Sequence, residues 1–355
     1  MERKAKTVQN AIDERIKAIA EAVQKKFKSP DALTILSDSS EFATVKKFIS
    51  FGHWGLNRAV SGMGKHGGIP CGRLTEVYGK WSTGKSLLIA CALAQCQQAG
   101  GIAGLDDLEH AYLKEFGKIV GVNNDLLLYA ASDTIEECLD KAEFTLLEIL
   151  KTTMFGMFAI DSVALVKSQK EDEETIEGKT GFGTEKAKAL HSGSRKLVSI
   201  IGKSDIALVI ANQTRQAVGV MFGDSETTAG GDAIPFWSSV RIRLAIKELI
   251  REIPDDKNSE IIGVRGEAFI KKNKIAKPFR KTAFDIIFDK GLLYASGCAD
   301  ILVREHKITE ASKGWYEFNR SIGSGVIVTG KKYRKSEVEE IFESEPDWLE
   351  ELYED

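Results

Sequence analysis

Short apolar runs alternate with longer stretches of helical periodicity from residue 73 to residue 213. This alternation predicts an α/β fold with a mostly parallel central sheet covered by helices. The predicted strands are 73–78, 101–105, 126–131, 154–160 and 206–213. The predicted helices are 84–98, 133–152 (with Asp133 as its N-cap) and 185–203.

Both ends of the chain follow other patterns. Apolar residues spaced three and four apart predict an amphipathic helix over 4–28, with a short strand within 29–41. From 237 onward, strands follow one another without intervening helices, at 238–246, 267–276 and 282–288. We therefore predict three parts: an N-terminal helix/strand oligomerisation arm (1–48), an α/β core (49–288), and a small α+β C-terminal domain with an acidic tail (289–355).

Charge is strongly segregated, although the 355 residues carry a net charge of only −3. Residues 337–355 hold ten acidic side chains and no Lys or Arg, whereas 265–281 holds seven basic residues and one acid. A local basic field can attract a polyanion despite the net charge. The acidic tail is either a solvated C-terminus or a competitor of DNA for the basic segment.

Cysteine usage and hydropathy indicate the compartment. The five cysteines are dispersed without a CxxC pair, which favours a reducing compartment over disulfides or a zinc site. The charged N-terminus does not match a secretory signal, and no apolar run approaches the roughly 20 residues of a membrane helix. We expect a cytoplasmic protein that does not bind membranes.

A glycine-rich segment between the first strand and the first core helix has the spacing of a phosphate-binding loop. Its backbone N–H groups and the helix N-terminus favour an anion. Lys85 would reach the β- and γ-phosphates of a nucleotide, and the Ser86 hydroxyl would bind Mg²⁺. The predicted nucleotide-binding residues are Gly79, Lys80, Trp81, Ser82, Thr83, Gly84, Lys85, Ser86 and Leu87.

Polar residues at the ends of three other strands are the candidates for catalysis. Asp161 ends an apolar strand, where a second Mg²⁺ anchor is expected. Taken alone, a strand-end Asp is more often a helix or turn cap, but the phosphate loop favours the metal role. Glu109 could polarise the attacking water, with Asp106 and Asp107 as alternatives. Gln213 ends a strand and begins a glycine-rich loop, so its amide could detect a γ-phosphate or serve only in a turn.

Two lysines, Lys272 and Lys274, are spaced to share one face of a strand. They belong either to a solvated strand edge, where lysines are common, or to a cationic pair aimed at a phosphate across a subunit boundary. Two polar stretches, 167–186 and 214–233, follow predicted strands on the side where open α/β sheets bind ligands.

Five ordered motifs resemble the RecA family of DNA recombinases over about residues 49–288. They are GGIPCGRLTEVYGKWSTGKS (67–86), DLEHA (107–111), AIDSVA (159–164), ANQTRQAVGVMFGDSETTAGGDAIPFWSSVRI (211–242) and KKNKIAKPF (271–279). The fourth is the most specific, because it is similar to the second DNA-binding loop of the bacterial proteins. The resemblance implies a RecA-type P-loop ATPase core.

The resemblance also implies roles for individual residues. Glu109 would activate water, Asp161 would support the metal beside Ser86, Gln213 would sense the γ-phosphate, and Lys272 and Lys274 would act on a neighbour's ATP. Phe116 falls where the family places an aromatic ring beside adenine, although a ring there could equally belong to the core. The DNA-binding residues implied are Lys188, Arg195, Arg215, Val218, Phe222, Glu226, Gly230 and Gly231.

A member of this family would be an ATP-dependent recombinase with ATP and Mg²⁺ as cofactors. It would form a helical filament on single-stranded DNA, pair it with homologous duplex DNA, and hydrolyse ATP in a DNA-dependent manner. Lys80 and Pro235 depart from the family pattern, which indicates a divergent member of cellular or viral origin. A ring-shaped DNA helicase and a non-catalytic mediator that binds DNA remain alternatives.

Overall fold

The computed structural model of the protein describes residues 2–30, 32–36, 44–168, 183–216, 226–254 and 256–354. These residues fall into two compact units, Met1–Lys46 and Lys47–Asp355. The first unit contains helix α1 (Glu2–Phe27), which confirms the predicted amphipathic helix. A strand was predicted within 29–41, but the described residues of this segment form no strand. The helix leaves a stripe of large apolar side chains exposed: Ile12, Ile16, Ile19 and Phe27.

The second unit is built on a large twisted sheet, which confirms the predicted fold class. Its parallel part contains β3 (Leu74–Gly79), β4 (Ile102–Asp107), β5 (Leu127–Ala130), β6 (Gly156–Asp161), β7 (Ile206–Gln216) and β9 (Val240–Arg251). Its antiparallel part adds β8 (Glu226–Thr228), β10 (Ile261–Asn273), β11 (Lys281–Ile287) and β12 (Gly291–Leu292). Two short strands, β1 (Phe48–Ile49) and β2 (Ile69–Pro70), pair with each other beside it.

Within the described residues the strand order of the sheet is β12-β11-β10-β9-β3-β7-β6-β4-β5, with β8 paired to β7. Strand β3 lies between β7 and β9 and is parallel to both. Because β3, β4, β6 and β7 run in the same direction, their carboxyl ends meet at one edge of the sheet. That edge is where ligands bind in open α/β sheets.

Helices cover both faces of the sheet, as the apolar periodicity predicts. They are α2 (Trp54–Ser61), α3 (Lys85–Gln98), α4 (Lys114–Ile119), α5 (Ile135–Lys151), α6 (Gly183–Ile201) and α7 (Ala233–Trp237). Buried residues of α2 and α3 form one apolar cluster with the sheet. Buried residues of α5 and α6 form a second cluster on the other face. The sheet is therefore the middle layer of a three-layer core.

The N-cap of α5 differs from the prediction. Thr134, rather than Asp133, caps this helix, because the Thr134 hydroxyl accepts a hydrogen bond from the backbone N–H of Glu137 at 3.3 Å. The backbone N–H of Asp133 in turn donates to the Glu137 carboxylate at 3.0 Å. Thr134 therefore caps the helix, and the Glu137 carboxylate holds the residue before it, which places the N-cap one residue later than predicted.

The C-terminal part has its own small core. It contains a sheet of β13 (Ile308–Ser312), β14 (Trp315–Phe318) and β15 (Lys332–Arg334) with helices α8 (Cys298–Arg304), α9 (Lys335–Ser344) and α10 (Asp347–Glu351). Its buried cluster includes Trp54 of α2, so this core is continuous with the rest of the unit.

The acidic segment 337–354 is a folded part of this core. Val338, Phe342, Leu349 and Leu352 are fully buried. Several of its carboxylates accept backbone N–H groups: Glu343 binds those of Tyr294 and Ala295 at 3.0 and 2.8 Å. An unfolded, solvated tail is therefore wrong for these residues, because the acidic composition hid the apolar spacing of two helices. Competition of the exposed acids with DNA stays a prediction.

Candidate nucleotide site and its connection to the DNA loop

The sheet register brings the predicted site residues together. Gly79 at the end of β3 lies opposite Gln213 of β7, and Asp107 at the end of β4 lies opposite Asp161 of β6. Glu109 follows β4 by two residues. The ends of β3, β4 and β6 thus converge on the phosphate loop between β3 and α3, as the sequence predicts. Gln213 was predicted to end its strand, but it lies three residues before the end of β7, which continues in a ladder with β8.

The loop itself needs glycine at two points. A Cβ on Gly79 would lie 2.5 Å from the carbonyl oxygen of Leu244 on the adjacent strand, so only glycine allows this approach. Gly84, the N-cap of α3, has φ +87°, a left-handed conformation that glycine adopts without steric cost. Helix α3 begins at the next residue, Lys85, so its unpaired N–H groups face the loop interior.

Lys85 is buried at the base of this loop. Its ammonium donates to the carbonyl oxygen of Lys80 at 2.8 Å, and the Thr83 hydroxyl donates to the same oxygen at 2.9 Å. Burial lowers the pKa of Lys85 below its ordinary value, while the charges of Asp161 and Glu109 oppose that shift. The ammonium is therefore only partly compensated, and an incoming phosphate would supply the missing negative charge.

Asp161 and Ser86 have the chemistry of a magnesium site. Burial raises the pKa of Asp161 to about 6, and the hydrogen bond from the Ser86 hydroxyl counteracts this rise. The neighbouring charges of Glu109 and Asp107 raise the pKa further. Mg²⁺ prefers oxygen ligands, keeps several waters and binds through one or two carboxylates with substrate phosphates. A buried carboxylate and a hydroxyl beside a phosphate loop fit that ion.

Glu109 lies between the phosphate loop and Gln213. Its Oε1 accepts one hydrogen bond from the Ser162 hydroxyl and another from the Gln213 amide at 3.2 Å. Glu109 is half-buried, whereas its competitor Asp106 is fully buried and accepts two hydrogen bonds from Ser132. Of these two acids, only Glu109 lines a cavity at this edge of the sheet. Asp107, the other alternative, also lines a cavity and accepts hydrogen bonds from Tyr112 and Tyr129, so it stays an alternative.

Two cavities meet at this edge of the sheet. A cavity of about 540 Å³ is lined by the phosphate loop from Trp81 to Leu87 together with Glu109 and Gln213. A second, of about 320 Å³, shares Ser86 and Glu109 with the first and extends to Phe116. Phe116 also packs against the cluster of Ala90, Ala94 and Val122. Its ring thus touches both the cavity and a small core, so both roles predicted for it stay open.

Lys272 lies away from the phosphate loop of its own chain. Its partner on β9 is Arg241, which lies opposite Glu76, three residues before the end of β3. Its ammonium donates to the carbonyl oxygens of Pro235 and Phe236 at 2.8 and 3.1 Å. Burial, followed by the charges of Lys274 and Arg241, lowers the pKa of Lys272.

The prediction that Lys272 and Lys274 share one strand face is wrong for Lys274. Strand β10 ends at Asn273, so Lys274 follows the strand, and its backbone N–H donates to the carbonyl oxygen of Ser239 at 2.9 Å. The Asn273 side chain caps the turn by accepting the N–H groups of Ile275 and Ala276 at 2.9 and 3.1 Å. The turn ends the strand one residue before the second lysine.

Gly230 and Gly231 form a tight turn after β8, with φ of +84° and +68°. A Cβ on Gly230 would lie 2.3 Å from Leu190 of α6, so this turn packs directly on that helix. On the same helix Lys188 and Arg195 are both exposed, and Lys188 forms an ion pair with Glu185 at 3.1 Å. Two of the predicted DNA-contacting elements are therefore adjacent.

The remaining predicted loop residues are described only in part. Arg215 and Glu226 lie in β7 and β8, where they pair with Thr227 and Gln216 respectively. Val218 and Phe222 lie outside the described residues. The segment that joins β7 and β8 begins and ends in the two-stranded ladder of these strands, which starts at Thr214, directly after Gln213.

Sequence reasoning missed a buried polar link behind that ladder. The Asn212 amide donates to Glu76 and to the carbonyl oxygen of Ala229, both at 3.0 Å. Glu76 is fully buried and forms an ion pair with Arg241. An acid inside the apolar strand 73–78 was the signal for this link, since buried acids are almost always paired.

Two kinds of feature are absent from the described residues. No helix there is long and apolar enough to span a membrane. No group of three or more His, Cys, Asp or Glu side chains there could hold a metal ion.

The sequence is similar to known proteins over most of its length. The family model described as the RecA N-terminal domain matches residues 14–293. A protein named RecA from Leptospira biflexa is 33% identical over 350 residues, covering 98% of this chain and 84% of that protein. The RecA of Porphyromonas gingivalis is 32% identical over 338 residues, covering 95% of this chain and 94% of that protein.

A third relative gives the same result. The RecA of Bacteroides thetaiotaomicron is 34% identical over 320 residues, covering 89% of this chain and 91% of that protein. The family model and these relatives extend over the phosphate loop, the convergent strand ends and the glycine turn described above. With this arrangement and this similarity, the chain belongs to the RecA family.

Proposed function

We propose that the chain is an ATP-dependent recombinase that assembles on single-stranded DNA, pairs it with homologous duplex DNA and hydrolyses ATP when bound to DNA. The observation that carries this proposal is the position of Gln213. Its side chain contacts Glu109 in the nucleotide pocket, and its backbone carbonyl accepts a hydrogen bond from Ala229 at the far end of the DNA loop, at 3.3 Å. One residue thus joins the pocket to the loop.

The nucleotide would bind in the two joined cavities. Lys85 and the N-terminus of α3 would hold the β- and γ-phosphates, and Ser86 and Asp161 would hold Mg²⁺. Bound there, Mg²⁺ neutralises charge on the phosphates during hydrolysis. Phe116 would lie beside the base at the far end of the smaller cavity.

Hydrolysis requires a base and a way to couple it to DNA. Glu109 would take a proton from the attacking water, a role that commonly contributes about 10²- to 10⁴-fold. The Gln213 amide contacts Glu109 here, and a γ-phosphate would compete for that amide. Moving the amide from Glu109 to the phosphate would shift β7 and the ladder that holds the DNA loop.

A second copy of the chain would complete the site. Lys272 is half-buried among other cations, and among the described residues no carboxylate forms an ion pair with it. A negative phosphate from a neighbouring chain would relieve this repulsion. Since Lys272 lies away from its own phosphate loop, such contacts would run head to tail and generate a helical filament. The exposed apolar stripe of α1 is available for the same association.

The test measures single-stranded DNA binding and filament formation by electron microscopy, with ATP, with a non-hydrolysable analogue and without nucleotide. We expect extended filaments only with bound nucleotide, and DNA binding that weakens with salt. The Glu109→Gln variant should form filaments but hydrolyse ATP at least about 100-fold more slowly. DNA binding independent of nucleotide would contradict the proposal, and processive unwinding of duplex DNA would favour a helicase.

A further inference from the structure

Ser162 makes the closest side-chain contact to the proposed catalytic base. We propose that Ser162 is a positioning residue for ATP hydrolysis, which fixes the Glu109 carboxylate through a hydrogen bond to Oε1. The inference rests on the function proposed above. It gives a role to a residue that belongs neither to the phosphate loop nor to the two metal-site residues. Ser162 directly follows Asp161, so one strand end would serve the metal and the base together.

The surrounding backbone restricts the movement of Ser162. Ser162 is fully buried, and its hydroxyl donates to Glu109 Oε1. The backbone on both sides is fixed to the sheet: the N–H of Leu108 donates to the carbonyl oxygen of Asp161 at 2.7 Å, and the N–H of Val163 donates to that of Ala211 at 3.3 Å. The donor therefore has little freedom to leave the carboxylate.

The two oxygens of Glu109 are used differently. Oε1 accepts from both Ser162 and Gln213, whereas among the described residues Oε2 accepts no hydrogen bond. Oε2 is thus the oxygen left to take a proton from water. In that step the water oxygen bonds to the γ-phosphorus, the bond to the bridging oxygen breaks, and the proton passes to Oε2, leaving ADP and phosphate.

Of the two donors to Oε1, one is proposed to change partner when nucleotide binds and the other is not. Gln213 is half-buried and is proposed to exchange Glu109 for the γ-phosphate, whereas Ser162 is buried and has no such alternative. When Gln213 leaves, Ser162 is the remaining donor that keeps the carboxylate oriented. The carboxylate would otherwise rotate, and a displacement of about 1 Å from the reacting atoms can cost on the order of 100-fold in rate.

The chain contains a matched control for a purely structural effect. Ser132 is also fully buried, and its hydroxyl donates to the Asp106 carboxylate at 2.8 Å. Asp106 and Ser132 line neither of the two cavities. Ser132→Ala therefore removes the same kind of buried serine–carboxylate hydrogen bond without touching the proposed base.

The experiment measures DNA-dependent ATP hydrolysis by the full chain carrying Ser162→Ala, Ser132→Ala or Glu109→Gln, together with thermal stability and filament assembly on a non-hydrolysable analogue. We expect Ser162→Ala to lower kcat about 10- to 100-fold with KM and filament assembly unchanged. Ser162→Ala and Ser132→Ala should lower thermal stability by similar amounts. Ser132→Ala should leave kcat within about twofold of the wild-type value.

The outcomes separate this inference from the function on which it rests. If Ser162→Ala keeps the wild-type kcat while Glu109→Gln loses hydrolysis, Glu109 is the base and Ser162 does not position it. If Ser162→Ala raises KM or prevents filament assembly in parallel with the loss of kcat, or if Ser132→Ala lowers kcat equally, the role of Ser162 is structural and the proposal is overturned. If Glu109→Gln hydrolyses ATP normally, the assignment of the base itself fails.

Discussion

The carboxylates at the strand ends and those of the C-terminal core accept hydrogen bonds from different groups, and only those at the strand ends line the two cavities described above. At the strand ends, Asp161 and Glu109 accept from side-chain hydroxyl and amide groups and line open cavities. In the C-terminal core, Glu343 and Glu339 accept from backbone N–H groups of the segment 294–297.

The consequence is that acid density alone says little about function. A carboxylate bound to backbone N–H groups satisfies donors that would otherwise be buried without partners, so its replacement costs folding free energy. A carboxylate beside a cavity keeps lone pairs for a ligand, so its replacement costs binding or rate. Four experiments on the two regions, taken from the largest expected effect to the smallest, test this distinction.

Deleting residues 337–355 should unfold the C-terminal core. It removes four fully buried side chains, Val338, Phe342, Leu349 and Leu352. Each contributes about 1.5–3 kcal/mol by burial, so their sum is comparable to the whole stability of a typical domain, about 5–15 kcal/mol. Amide hydrogen exchange should show lost protection from 294 onward.

A charge-only variant is the control for that deletion. Glu340→Gln combined with Glu345→Gln neutralises two exposed acids and keeps every buried apolar group. It should leave protection and thermal stability unchanged. A deletion that remained fully protected would instead restore the interpretation of this segment as a free acidic tail.

Asp161→Asn should stabilise the nucleotide-free protein while weakening its response to magnesium. The folded-state pKa of Asp161 is raised to about 6, so burying its charge destabilises the fold above that pH. Asparagine removes this charge but is a poorer Mg²⁺ anchor, so the affinity for Mg²⁺-nucleotide should fall about 10- to 100-fold. Thermal unfolding at pH 8, with and without Mg²⁺-nucleotide, measures both effects.

The wild-type protein should show the same linkage through pH. Because Mg²⁺ binds the deprotonated carboxylate, affinity for Mg²⁺-nucleotide should fall as the pH is lowered through about 6. An Asp161→Asn variant that keeps the full Mg²⁺-dependent stabilisation would remove Asp161 from the metal site.

Glu343→Ala should lower stability without changing hydrolysis. It leaves the N–H groups of Tyr294 and Ala295 without their carboxylate partner. The expected loss is about 1–3 kcal/mol, measured by denaturant unfolding. Glu340→Ala on the same helix is the control: both carboxylates are exposed, but among the described residues no backbone N–H donates to Glu340. Loss of ATP hydrolysis in folded Glu343→Ala protein would contradict the separation of the two regions.

Glu339→Gln should have little effect below pH 4.5 and change mainly the pH dependence of stability. Burial raises the pKa of Glu339 to about 7, from an ordinary value near 4.5. The folded state therefore binds this proton more tightly than the unfolded state, so the contribution to stability is present below pH 4.5 and is lost as the pH rises to about 7.

Glutamine keeps an oxygen for the N–H of Gly297 and carries no charge at any pH. The variant should be more stable than the wild type at pH 8 and should lose the decline between pH 4.5 and 7. Unfolding transitions at several pH values measure the difference. An unchanged decline in the variant would assign it to another group.

Local motifs made the nucleotide site predictable from sequence. The phosphate loop depends on neighbouring residues, and Asp161 and Gln213 could be placed beside it because parallel strands end at the same edge. Choosing between Asp106 and Glu109 needed the structure. Their difference in burial depends on how β4 packs against α5 and Ser132, which single-sequence spacing does not encode.

The C-terminal segment was misinterpreted for the opposite reason. Its net charge is conspicuous, whereas Val338, Phe342, Leu349 and Leu352 are only four apolar positions spread over two short helices. Their burial depends on long-range partners, among them Trp54, which lies almost 300 residues earlier in the chain. Ser162 escaped notice because a serine gives no signal of the carboxylate that it will contact.

The indole N–H of Trp54 donates a hydrogen bond to the Glu350 carboxylate at 2.9 Å, and this contact has a consequence for synthesis of the protein. The first helix of the core packs into a cluster that is completed only by Leu349 and Leu352. Almost 300 further residues must therefore be synthesised after Trp54 before its indole can be covered. Until then an early apolar surface stays exposed, and nascent chains that stall before residue 349 should be substrates for chaperones.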